Sequence, residues 1–405
     1  MSASTRLKSL RRLVAVIATM LAVVPTHVAD SQDHAPDSHR LPRAVADAEA
    51  ERLLRGLDPK SPQAIDRIPQ LIGLIRDETA PKVLRQQAGM LLGRIGKPAV
   101  AAVPMLIRLL RDPETPADAT RSWALKSLGL FGELAADAVP QLSRGVSDRS
   151  RSQDDRILIA DVLGQIGTAA ALQALSIELL RPQSEHTNSE ALLRQVMVDA
   201  VALTGPQAIV ALPALTRMTA DGNADVRRKA CQAIGQIGPR AELSLDPLLE
   251  RLVLDETPAV RDAAAAAMGK IGPAAVSMLI DIMGSGDAEL QWRAARSLQT
   301  IGPRAGSAVE SLQRAFRVVD PRVRVESLKA VWRIRGDPKL VAGRLIQELS
   351  SPERQVRRQA SLLLIEIDPL PAQAMMQLQI RAADRTRDGS REAGYVLRER
   401  ARRSK

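Results

Sequence analysis

Residues 226–239, VRRKACQAIGQIGP, recur in altered form along the chain and constrain its fold more than any other feature. The next copy, residues 260–273, reads VRDAAAAAMGKIGP, and earlier copies occupy residues 83–98, 120–132 and 155–167. The copies close at positions 30 to 38 residues apart, with a mean spacing of 34. A fixed period of this kind is the signature of a solenoid, in which each repeat contacts only its neighbours.

Each copy carries the pattern of an amphipathic helix. Apolar residues precede the closing position by four and by one, as Ile234 and Ile237 precede Gly238, which gives one buried face. The closing glycine ends the helix, and a second glycine three positions earlier is expected to let a neighbouring helix approach closely. A proline recurs in the helix before five of the copies, as at Pro69, and we expect it to kink that helix. The pattern predicts an all-α, right-handed α-solenoid of about ten helix pairs.

An arginine column runs through the copies, eleven positions before each close. Gln291 is the one exception among nine copies. The arginines of this column are Arg85, Arg121, Arg156, Arg194, Arg227, Arg261, Arg324 and Arg357. The first helices end near aspartates such as Asp112, Asp148 and Asp255, which are expected to cap the helices that follow.

Four segments are expected along the chain. Residues 1–31 read as a signal peptide, because a basic start precedes a twelve-residue apolar run that is too short to span a bilayer comfortably. Residues 32–61 form a linker and an N-terminal capping helix, residues 62–370 the solenoid, and residues 371–405 a degenerate helix pair with a basic tail. The protein is therefore expected to be exported to the periplasm or the extracellular space, with membrane contact only through an uncleaved N-terminal segment.

Composition narrows the classes of function. Aromatic residues are only 1% of the chain, so the core must be aliphatic. The formal net charge is +11, but residues 1–31 and 380–405 carry most of it, so the repeats are nearly neutral. The lone Cys231 fits an exported protein without disulfides, and its place on the core side of a helix predicts a buried structural thiol.

A proline-bearing first helix, an aspartate in the turn and an arginine early in the second helix together resemble HEAT repeats, and more narrowly the short HEAT-like repeats of the phycobilin-lyase type. The period is shorter than the about 40–47 residues usual for HEAT units. The resemblance implies that the arginine column, with Asp112, Asp148 and Asp255, forms a structural ladder between adjacent repeats. A buried guanidinium donates hydrogen bonds in a rigid planar geometry and needs a fixed acceptor, which agrees with a structural role for these arginines.

Catalytic chemistry is hard to build from these residues. The four histidines, His27, His34, His39 and His186, do not stand at helical spacing with one another or with carboxylates, so no metal triad forms. Serines and carboxylates have no histidine to serve as a base. We expect no enzymatic activity and no cofactor.

A basic stripe lies on the second helices at positions that neither the core nor the column uses. Its members are Arg228, Lys229, Trp292, Arg293, Arg296, Lys329, Arg333 and Arg358. We expect these residues to be exposed on the concave side and to bind another protein. Two alternatives stay open: nucleic-acid binding, which acidic neighbours and scarce aromatics disfavour, and a lyase-like or chaperone role related to phycobilin lyases.

Overall fold

A computed structural model describes residues 43–111, 120–181, 188–384, 386 and 388–403. The predicted signal peptide, most of the predicted linker, Asp112 and His186 lie outside these residues. By the density of its contacts the chain divides into residues 1–49 and residues 50–405. Within the described residues no helix is long and apolar enough to cross a membrane.

The described residues of the larger part, 50–405, contain ten helix pairs, numbered here as units 1 to 10, and the helices Arg43–Leu54 and Pro62–Asp66 precede them. The first helices of the units are Ile68–Arg76, Val103–Arg111, Val139–Ser147, Ala169–Leu180, Leu212–Met218, Leu245–Leu254, Val276–Met283, Val309–Arg314, Ala342–Glu348 and Ala372–Ala383. The second helices are Lys82–Ile95, Thr120–Phe131, Gln153–Ile166, Asn188–Ala202, Ala224–Ile237, Pro258–Ile271, Ala288–Ile301, Pro321–Arg335, Arg354–Glu366 and Ser390–Arg403. The described residues contain no strand, and the predicted all-α solenoid is confirmed.

The helices form two layers. Each second helix packs against the second helices of adjacent units, and each first helix packs against the second helix of its own unit. The core between the layers is aliphatic, with Leu248, Ile234 and Ala264 fully buried. Cys231 is buried in the same core, as predicted. One continuous core therefore runs through the ten pairs.

The glycines of the repeat act as the pattern predicted. Gly238 closes unit 5 with φ of 73°, a backbone conformation that side chains with a Cβ rarely adopt. Gly164 stands three positions before its closing glycine and lies against the next second helix: a Cβ there would meet Ala200 Cβ at 2.5 Å and Ala200 Cα at 2.8 Å. The prediction that this glycine permits close helix approach is confirmed.

The prediction of a kinked first helix is wrong. Pro69, Pro140 and Pro213 lie in the first turn of their helices, where a backbone N–H has no helical partner and proline breaks no hydrogen bond. Short 3₁₀ segments, such as Gly205–Ala211 and Gly238–Ser244, lead from the closing glycine into several of these helices. The chain changes direction in these segments, and the proline starts the helix that follows.

Candidate partner-binding surface

The arginine column lies where the turns of successive units meet. Arg227 of unit 5 donates from Nε to Asp255 Oδ2 at 2.8 Å and from Nη2 to Asp255 Oδ1 at 3.0 Å. Its Nη1 donates to the backbone carbonyls of Asp221 and Gly222 in its own unit. One buried guanidinium thus joins the turn of unit 5 to the turn of unit 6.

Two aspartates, Asp221 and Asp255, each bind two arginines of this column. Asp221 accepts a forked pair of hydrogen bonds from Arg194 through its carboxylate, and gives its backbone carbonyl to Arg227. Asp255 accepts from Arg227 in the same way, and its carbonyl accepts from Arg261. The chain of contacts from Arg194 to Arg261 is continuous across units 4, 5 and 6.

Other arginines of the column use different acceptors. Arg324 forks onto Glu348, Arg357 binds Glu392 and Arg156 binds Glu178 and Glu190. Two contacts are weaker or purely backbone. Arg121 approaches Asp155 only to 3.8 Å, and Arg85 Nε donates to the carbonyl of Ile75. The aspartate pattern does not reveal Glu178, Glu348 or Glu392, because they stand at other positions of their units.

Asp148 was predicted to belong to the ladder, but it closes its own turn instead. Its carboxylate accepts hydrogen bonds from the backbone N–H and the hydroxyl of Ser150, and it pairs with Arg151. These hydrogen bonds from Ser150 hold the pKa of Asp148 below its usual value. Because no column arginine reaches Asp148, it caps a turn and does not join two units.

The electrostatics of the Arg227–Asp255 pair favour the charged state. Burial disfavours the charged form of Asp255, yet the hydrogen bonds from Arg227 and from the backbone of Thr257 outweigh that effect and lower its pKa. The hydrogen bond to Asp255 likewise raises the pKa of Arg227. Both groups stay ionised, and the pair acts as a fixed tie between two turns.

The predicted basic stripe is spread over units 5, 7, 8 and 9, and most of its charge is paired. Lys229 binds Asp199 of unit 4, and Arg333 binds Glu366 of unit 9 at 3.0 Å. Arg228 and Lys329 pair with acids on their own helices, Asp225 and Glu326. The partners of Lys229 and Arg333 lie about one repeat away in sequence, a regularity that the repeat register would have revealed.

Arg293 was predicted to be exposed, and this prediction is wrong. Only 4% of the residue is accessible, because its side chain lies over the preceding second helix and binds Asp262 at 2.7 Å. It also binds Glu289 one turn earlier at 3.1 Å. Arg293 therefore holds units 6 and 7 together and is not free to meet a partner.

Arg296 and Arg358 are the two members of the stripe that form no salt bridge with a described carboxylate, and both are exposed. Of these two, Arg296 lies over an aromatic ring: its guanidinium carbon is 4.7 Å from the centre of Trp292, and the buried Arg293 lies over the same ring at 5.7 Å. Beside Arg296 a small cleft of about 100 Å³ runs between the second helices of units 6 and 7. Asp262, Ala265, Ala266, Arg293, Ser297 and Thr300 line it with Arg296.

The cleft combines apolar lining with a guanidinium. Ala265 and Ala266 contribute apolar lining, and the guanidinium of Arg296, which lies over an aromatic ring and forms no salt bridge with a described carboxylate, stands beside them. Among the described residues, no three histidine, cysteine or acidic side chains are placed to hold a metal ion. The arrangement can bind an anionic group next to an apolar surface.

Similarity to known proteins bears on the fold. A family model of HEAT repeats matches residues 68–155, 177–269, 212–287 and 245–331. No curated protein matches the chain. The chain resembles the karyopherin Kap95p, crystallised with RanGDP, at 12% identity over 89% of this chain and 56% of Kap95p, with a TM-score of 0.52.

Two further solved structures resemble the chain less closely in shape. The CpcE–CpcF complex of phycocyanin lyase from Nostoc sp. PCC7120 matches at 19% identity over 70% of this chain and 98% of that one, with a TM-score of 0.33. Human deoxyhypusine hydroxylase matches at 23% identity over 66% of this chain and 96% of that one, with a TM-score of 0.29. At such identities the likeness concerns the fold alone, whereas the family model covers more than half of the residues. The chain belongs to the HEAT-repeat proteins.

Proposed function

We propose that the protein is a non-catalytic scaffold that binds a protein partner on the surface of its second helices, centred on Trp292 and Arg296. The observation that carries this proposal is the stacked guanidinium of Arg296, 4.7 Å from the Trp292 ring, without a carboxylate partner. Tryptophan and arginine are enriched among the residues that dominate protein interfaces. The other cations of the predicted basic stripe, apart from Arg358, are paired with described carboxylates.

The chemistry of this centre favours an acidic side chain from the partner. Guanidinium and carboxylate form strong, often forked hydrogen bonds, and the Trp292 ring offers apolar area beside them. Residues 288–366 hold 15 basic and 8 acidic residues, whereas residues 188–287 hold 9 basic and 12 acidic. An acidic segment of a partner would therefore be steered towards units 7 to 9.

Protein binding is favoured over the alternatives. Kap95p, which resembles this chain in fold, binds RanGDP. A phosphate-binding surface needs several unpaired cations, but Lys229, Arg293 and Arg333 are held by Asp199, Asp262 and Glu366. The export pattern of residues 1–31 further suggests that the partner is a protein of the cell envelope.

Affinity capture from the native envelope fraction tests the proposal. The full chain, a Trp292→Ala/Arg296→Glu variant and an Arg304→Glu control would be immobilised at equal density. Arg304 is exposed on the segment Gly302–Ala308, away from the cleft. We expect specific proteins to be retained by the wild type and the control and lost from the variant. Equal retention by all three, or retention that nuclease treatment abolishes, would contradict the proposal.

A further inference from the structure

Unit 7 lacks the buried tie that joins its neighbours. An arginine of the column bridges to a carboxylate of the following unit at the junctions of units 2 to 3, 3 to 4, 4 to 5, 5 to 6, 8 to 9 and 9 to 10. Arg261 of unit 6 donates to the carbonyl of Asp255 and bridges to no described carboxylate. Gln291 stands in place of the arginine of unit 7.

Unit 7 lacks both the column arginine and the turn aspartate that form this ion pair in other units. Asp221 and Asp255 stand six positions before the column residue of their units, where unit 7 has Ser285. The turn of unit 7 reads Gly284-Ser285-Gly286, with Gly286 at φ of 80°. The amide of Gln291 donates to the carbonyl of Met283 in its own unit, and its Oε1 is buried without a hydrogen-bond partner. No arginine of the column therefore joins unit 7 to unit 6 or to unit 8 through a described carboxylate, whereas Arg227 joins units 5 and 6 through Asp255.

The ties of unit 7 use acids that are open to solvent instead. Arg293 pairs with Asp262 of unit 6, and Arg322 of unit 8 pairs with Glu289 of unit 7 at 2.8 Å. The Arg293 side chain is only 5% exposed, but the acids Asp262 and Glu289 are each 47% exposed, so solvent and salt screen these pairs more than a pair that is buried on both sides. A hydrogen bond from the Ser297 hydroxyl to the carbonyl of Ala265 completes the contact between units 6 and 7.

We propose that unit 7 is a hinge, at which the array of repeats changes its curvature more readily than in units 4 to 6. An ion pair whose acid is half exposed can exchange and re-form as two helices slide, whereas a forked pair buried on both sides has one geometry. The cleft beside Arg296 is lined by residues of both unit 6 and unit 7, so a molecule bound there sets the angle between them. The proposed hinge rests on the missing column contacts of unit 7. It does not depend on whether the cleft binds a protein.

Distances between paired spin labels test the hinge in the full chain. Ala170, Asp246 and Glu310 are exposed second residues of the first helices of units 4, 6 and 8. Labels at cysteines placed at 170 and 246 span the junctions of units 4 to 5 and 5 to 6, and this pair is the control. Labels at 246 and 310 span the junctions of units 6 to 7 and 7 to 8. Cys231→Ala removes the native thiol from both double-cysteine variants.

We expect the distance distribution across unit 7 to be about 1.5-fold wider than the matched control. Raising the salt from about 0.1 M to about 1 M shortens the Debye length from about 10 to about 3 Å, and should widen only the distribution across unit 7. Ser285→Asp should narrow it, because the new carboxylate meets Arg261. Equal widths for the two label pairs, or no narrowing by Ser285→Asp, would overturn the proposal.

Discussion

Arg227 and Asp255 form a forked ion pair between successive units, with side chains only 8% and 1% exposed. The same aspartate gives its backbone carbonyl to Arg261, so the contact continues into the next column position. Because the chain has so few aromatic residues, its core consists of small aliphatic side chains. Their contacts alone do little to fix how one unit aligns with the next. The buried pairs supply a fixed register between units.

Breaking this pair on one side should destabilise the protein strongly. Arg227→Met leaves the buried Asp255 carboxylate with only the backbone N–H of Thr257 and Arg251 at 3.7 Å, and we expect the free energy of unfolding to fall by about 3 kcal/mol. Arg228→Met is the matched control, because Arg228 is the next residue and pairs with Asp225 at the surface; we expect less than about 0.5 kcal/mol. Urea denaturation measures both, and similar losses would contradict a special role for Arg227.

The same pair predicts a dependence of stability on pH. The folded pKa of Asp255 lies below its usual value, so protonation favours the unfolded state. The stabilisation is present above about pH 4, near the unfolded pKa, and is lost as the pH falls through the folded pKa. Thermal melts from pH 6 to pH 2 should therefore show a smaller acid-induced loss for Asp255→Asn than for the wild type. Parallel curves would refute this assignment.

Two glycines of helices should respond in opposite ways to alanine. At Gly164 a Cβ would lie within 2.8 Å of the Ala200 backbone, so Gly164→Ala should destabilise the protein by about 1–3 kcal/mol. At Gly73, in the helix Ile68–Arg76, nothing lies within 4 Å of the added Cβ. Gly73→Ala should stabilise by up to about 1 kcal/mol through helix propensity. Calorimetric melting of both variants tests whether position 164 requires glycine because the helices approach closely there. Stabilisation by both substitutions would contradict that requirement.

Cys231 should be inert while the protein is folded. Burial raises the pKa of its thiol to about 12, and the thiolate is the reactive form. A thiol reagent at pH 8 should leave the native protein unlabelled and should label one thiol per chain in urea. Rapid labelling of the native protein would show that the core around Cys231 opens.

The repeat register predicted much of the structure because it reports burial directly. It placed the aliphatic core, the closing glycines and the arginines between units. It did not predict that Arg293 is buried, because the repeat position gives the direction of a helix face and not the path of a long side chain to Asp262. Nor did it predict the acceptors Glu348 and Glu392, which occupy no common position. The signal peptide stays a prediction.

Because most of its cations are paired with acids, the basic stripe does not form one continuous binding surface. From the sequence, Lys229, Arg293 and Arg333 resemble a patch for a partner, yet each has an acid about one repeat away. Arg296 differs because Trp292 and not a carboxylate lies beside it. The candidate surface is therefore narrower than the sequence suggested, and it lies at the unit whose buried ties are missing.

Site-specific photo-crosslinking tests the central claim most directly. A benzophenone amino acid would replace Thr300, an exposed residue that lines the cleft beside Arg296, in one variant and Leu243, 88% exposed on the segment Gly238–Ser244, in the control. In the native envelope fraction, we predict a covalent adduct with a second polypeptide from position 300 and none from position 243. No adduct at 300, or the same adducts at both positions, would contradict a partner-binding surface centred on Trp292 and Arg296.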